Sequence, residues 1–129
     1  MKELRLALYD VLTEESSIKN WWQPFLATDR TEKPYGVITF GPVIRVPSGP
    51  RFRSRLMHVW IYVEKEDFTV LDDYVEEITE LLTDRIVQVD SGNHYLLEWE
   101  HEGQDFFDPE LNALTRRLDF RVPLVRSRK

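Results

Sequence analysis

Residues 56–63 (LMHVWIYV) do most to limit what this chain can fold into. Side chains alternate across a strand, so Met57, Val59, Ile61 and Val63 share one face and Leu56, His58, Trp60 and Tyr62 the other. Both faces are bulky. Such a strand belongs in the middle of a sheet, with its second face at least partly covered. A helix follows almost at once over 70–83. There Leu71, Tyr74, Val75, Ile78, Leu81 and Leu82 form one stripe, and acids occupy the opposite side. Thr69 or Asp67 is the expected N-cap, while Asp72 and Asp73 suit the positive end of the helix dipole.

The remaining segments arrange themselves around that pair. Residues 2–12 put Leu4, Leu8, Val11 and Leu12 on the stripe of a first helix that ends near Thr13. The stretch 18–34 has no clean period and contains two prolines. It reads as a long connection in which Trp21, Trp22 and Phe25 cover one end of the core. Pro34 opens a strand over 35–40 that stops at Gly41-Pro42, with 43–46 as its continuation. A short strand at 85–89, a turn at Ser91-Gly92-Asn93 and a strand at 95–101 come after the second helix. In the last of these, Tyr95, Leu97, Trp99 and His101 share a face. Residues 103–109 read as loop and 111–114 as a helical turn. A final strand over 115–125 points Leu118, Phe120, Val122 and Leu124 inward and Arg117, Asp119 and Arg121 outward. The order is α-β-β-α-β-β-β, in a single domain spanning 1–129 with no internal repeat.

Bulk properties narrow the function classes. A hydrophobic content of 42% with 12% aromatics belongs to an ordered globule. The absence of cysteine removes disulfides, thiolate metal ligands and thiol nucleophiles together, and suits a reducing cytoplasm. The N-terminal MKELRLALYDVL is interrupted by Glu3 and Asp10 and is neither a signal peptide nor a span, so no membrane partner is expected. The net charge of −6 argues against free nucleic acid as the main ligand, but the charge is segregated. Residues 45–55 (RVPSGPRFRSR) carry four arginines and no acid. Residues 66–84 carry eight acids and no Lys or Arg, and residues 98–110 carry six acids and likewise no Lys or Arg. One chain thus combines a cationic hairpin loop with an anionic helix, and opposite patches steer copies of a molecule together.

No catalytic pattern accompanies these patches. His58, His94 and His101 lack the spacing that converges ligands, and there is no G-x-S-x-G turn or glycine-rich phosphate loop. The helix pairs Asp72/Glu76 and Asp73/Glu77 lie on a wet face. The expectation is a protein without enzymatic activity, metal or cofactor. The candidate residues are therefore interface residues: Arg45, Arg51, Phe52, Arg53 and Arg55 on the loop, and Asp72, Asp73, Glu76, Glu77 and Glu80 on the helix. Three readings of the loop stand side by side. It is a solubilising hairpin, an arm reaching the acidic face of a neighbouring copy, or a contact to nucleic-acid phosphates with Phe52 stacking among arginines.

An ordered set of segments also resembles a known family. LRLALYDVL in the first helix, the Pro-Tyr-Gly-Val-Ile strand opening at 34–38, HVWIYVEK at 58–65, DYVEEITELL at 73–82 and RRLDFRVPL at 116–124 resemble the tail-terminator or tail-completion (head-to-tail joining) proteins of long-tailed phages. The resemblance implies an α+β subunit whose antiparallel or mixed sheet of four to five strands packs against two helices, with a long hairpin loop. It implies a ring, commonly hexameric, at the head-proximal end of the tail tube, which ends tube polymerisation and joins the tail to the head connector. Partners would be other copies, the tail-tube protein and the connector protein. The protein would be found in the virion and, during assembly, in the host cytoplasm. DNA would pass through the lumen without specific binding, and the acid-rich span 98–110 would suit that wall.

Overall fold

The computed structural model describes residues 2–22, 30–45, 53–65 and 68–124, apart from the side chains of Trp22 and Arg45. Its elements are α1 (Lys2–Glu15), β1 (Asn20–Trp22), β2 (Tyr35–Arg45), β3 (Arg53–Glu64), α2 (Phe68–Leu82), β4 (Arg85–Gln88), β5 (His94–Glu102), β6 (Phe106–Asp108) and β7 (Ala113–Leu124). The class is α+β, with two helices on a mixed sheet in the order β1-β2-β3-β7-β5-β4, and β6 also pairs β7. β3 is central as its two bulky faces require. It is antiparallel to β2 on one side and to β7 on the other along its whole length.

The helices bury the stripes their spacing dictates. Leu4, Leu8 and Leu12 of α1 and Leu71, Val75, Ile78 and Leu82 of α2 pack on Ile38, Met57, Val59, Ile61, Leu97, Leu118 and Phe120 of the sheet. The Arg5 guanidinium ties α1 down, lying 4.8 Å from the Phe40 ring centre and donating to the Ile38 carbonyl at 2.9 Å. Ser17 ties α1 to α2, its hydroxyl donating to Glu77 Oε2 at 2.7 Å. The opposite face of β3 is partly covered: Leu56, His58, Trp60 and Tyr62 are all half-buried.

Several expectations are corrected. The sheet has seven strands where four to five were expected; of the antiparallel and mixed alternatives it is the mixed one, because β1 runs parallel to β2. β1 lies inside the stretch read as a connection. Three residues are too few to show a period, and what makes them a strand is Gly36 opposite, which leaves room for the Trp21 ring. The loop expected at 103–109 contains β6, which continues along the β7 edge that β5 begins. The helical turn expected at 111–114 is instead a turn followed by the start of β7. β2 does not stop at Gly41-Pro42: a register shift between Phe40 and Val43 absorbs the proline, on a stretch of β2 beyond the reach of β1. Thr69 is helical and so is not the cap of α2, and Asp67 lies outside the described residues. Asp119 does point to the outer face, as expected, and is buried there against His58. Among the described residues, no helix is long and apolar enough to cross a membrane.

Candidate assembly surface

The β2–β3 hairpin brings the cationic residues to one end of the sheet. Val43 pairs with Arg55, Ile44 with Ser54 and Arg45 with Arg53, and Arg53 in turn pairs with Leu124 at the end of β7. The flexible arm expected over 45–55 is thus shorter, because both strands zip up to Arg45 and Arg53. Arg51 and Phe52 lie outside the described residues. Arg53 is exposed, whereas the Arg55 side chain is held by its own hairpin, donating to the Gly41 carbonyl at 3.0 Å. Arg126, Arg128 and Lys129 follow β7 in the sequence. At the other end, Glu64 pairs with Ala113 and Ala113 with Asp108, close in sequence to Glu66, Asp67 and Glu110.

The acids of α2 divide into committed and uncommitted groups. Asp72 accepts from Arg116 at 2.6 Å, and Glu77 accepts the Ser17 backbone N–H and hydroxyl. Asp73, Glu76 and Glu80 are exposed. Glu76 and Glu80 line a groove of about 350 Å³ whose other walls include Val75, Thr79, Glu102 and Arg116. This part of the helix is an anionic trough, available to a cation from outside.

Arg116 is the residue that sequence reasoning missed. It is 8% exposed and gathers three carboxylates: Asp72 from α2, Glu102 from β5 at 3.1 Å, and Asp105 from the β5–β6 connection. Burial alone would lower its pKa, and the hydrogen-bonded Asp72 and Asp105 overcome that and raise it above the ordinary value. The signal was present in strand parity, since Leu118, Phe120 and Val122 point inward and Arg116 is in step with them. A guanidinium on an inward position needs carboxylates around it.

A second centre forms around Asp119 on the other face. Its Oδ1 lies 2.7 Å from His58 Nδ1 and 2.8 Å from Arg117 Nε, and its Oδ2 lies 3.4 Å from His101 Nδ1. His101 was expected to share a face with Leu97 and Trp99. An irregularity between Trp99 and His101 gives β5 an extra residue, so that His101 pairs with Asp119 instead. His58 and His101, from different strands, thereby both reach Asp119. Among the described residues, no group of three or more His, Asp or Glu has a metal-holding arrangement.

Beside this centre the Arg117 guanidinium sits 5.7 Å from the Trp60 ring centre. Trp60, Gly103, Gln104, Phe106, Thr115 and the two arginines line a mainly apolar groove of about 330 Å³. Arg116 lines both grooves. The chain matches no protein-family model and no curated protein.

Proposed function

We propose that this chain is a structural subunit that assembles into a closed ring, of the tail-terminator or head-to-tail joining kind that its sequence resembles. The observation that carries the reading is the separation of charge along one sheet. Arg53 stands exposed at one end, while Asp73, Glu76 and Glu80 stay exposed on α2. Complementary patches at different places on one molecule make heterologous contacts, and those close into a ring when the rotation between copies permits. In this reading Arg51 and Arg53 of one copy reach the trough at Glu76 and Glu80 of the next. Arg55, Asp72 and Glu77, held inside their own subunit, have supporting roles. The ring, a hexamer in this reading, has the tail-tube protein and the head connector as further partners. Of the acids in 98–110, Glu102 and Asp105 are spent on Arg116, and the others face a lumen through which DNA passes ungripped. The protein belongs to the virion, with assembly in the host cytoplasm.

The test is the size of the purified chain by multi-angle light scattering, together with electron microscopy, with and without a tail-tube protein. Rings that dissociate as salt shortens the Debye length from about 10 Å at 0.1 M to about 3 Å at 1 M support the reading. A chain that stays monomeric under all of these conditions refutes it. Retention on DNA at low salt that is lost in Arg51→Ala/Arg53→Ala, without any ring, would make the loop a nucleic-acid contact instead.

A further inference from the structure

Among the described residues nothing fills the groove between Trp60 and Phe106, and it is built for an apolar side chain flanked by cations. Its floor is Thr115, 1% exposed, and its rim is Phe106, 53% exposed. The surrounding charge is negative. Arg117 faces Asp119, and Arg116 faces Asp72, Glu102 and Asp105, so four carboxylates surround two guanidiniums. Asp108 and Glu110 follow Phe106 closely in the sequence. An aromatic residue between two arginines complements such a site, and the chain contains one in Arg51-Phe52-Arg53.

We infer that the groove is the docking site for Phe52 of a second copy of this chain. Geometry excludes the subunit's own Phe52. Arg53 and Trp60 are both fixed in β3, and seven residues at roughly 3.3 Å each separate them by about 23 Å along the strand. Phe52 is bonded to Arg53, its Cα about 3.8 Å away, so its ring falls far short of its own groove. Docking from a neighbour also fits the trough beside it. Arg116 forms a wall of both, so a hairpin laid across the junction of β5 and β6 seats its aromatic ring on one side and presents its arginines to Glu76 and Glu80 on the other. Buried aromatic anchors of this kind supply much of an interface's affinity, while rim ion pairs set register.

The inference rests on the ring reading and is tested separately from it. Phe52 is replaced by benzoyl-phenylalanine in the full chain, which is mixed with isotope-labelled copies, and photo-cross-links are mapped by mass spectrometry. Cross-links from 52 to Trp60 or to residues 103–106, joining labelled to unlabelled chains, are the expected result. Phe106→Ala, at a half-exposed position, should lower that yield and weaken self-association about tenfold with an unchanged melting temperature. Rings that form normally but cross-link elsewhere, to α2 or within one chain, overturn the groove assignment and leave the ring reading standing. A chain that never self-associates overturns both.

Discussion

Arg116 and Tyr35 show how much of this molecule is set by single side chains on the inner and outer faces of one sheet. Removing Arg116 leaves Asp72, Glu102 and Asp105 facing one another without a cation. Because these carboxylates are partly exposed, Arg116→Ala should cost about 1–3 kcal/mol, read from urea denaturation. Tyr35 is fully buried and stacks on Tyr62 with ring centres 4.8 Å apart. Burial first, then the neighbouring Tyr62 and the charge of Asp108, push its pKa above the ordinary 10.0. Tyr62 moves the same way, through burial and Asp108. The folded chain thus favours the neutral phenols. Their contribution is complete below pH 10, the unfolded value, and is lost as pH rises above it. Melting temperatures between about pH 9 and 11.5 should fall more steeply for the wild type than for Tyr35→Phe. At neutral pH the same variant should stay within about 1 kcal/mol of the wild type, because the Tyr35 hydroxyl has no hydrogen-bond partner among the described residues.

Elements depend on close approaches that only a pair of segments can define. β1 exists because the Trp21 ring lies directly on Gly36, with the indole N–H donating to the Ile18 carbonyl at 2.8 Å. A Cβ at position 36 would stand 2.2 Å from a ring carbon. Gly36→Ala should therefore displace Trp21 and cost about 1–3 kcal/mol, with tryptophan fluorescence shifted to the red. The extra residue in β5 works in the same way. It leaves Trp99 opposite Phe120, turns His101 toward Asp119, and lets Glu100 take the Arg121 guanidinium at 2.7 Å.

At the scale of the whole molecule, the sheet acts as a ruler that keeps unlike charges apart. Because β7 ends beside the start of β3, Arg53 stands next to Leu124 at one end of the sheet, away from Glu76 and Glu80. Glu76→Lys/Glu80→Lys should abolish self-association in light scattering while leaving the melting temperature within a few degrees, since both positions are exposed. Adding Arg53→Glu to a partner chain and mixing the two should restore association. Failure of this charge swap, with both variants folded, would mean that the trough is not the seat of the arm.

The amino-acid sequence alone determined the two helices, the central place of residues 56–63 and the opposition of a cationic loop to an anionic helix. Each of these is a periodic or local property, and period 2 or 3.6 is written in consecutive residues. The three-residue strands were not legible, since β1 and β6 are too short to carry a period. Nor were the grooves, nor the centres at Arg116 and Asp119. Those depend on which residues of distant strands stand opposite one another, and a single extra residue in β5 changes that pairing. Register is a property of two strands together, so only the tertiary structure decides which carboxylates are spent inside the subunit and which remain for a neighbour.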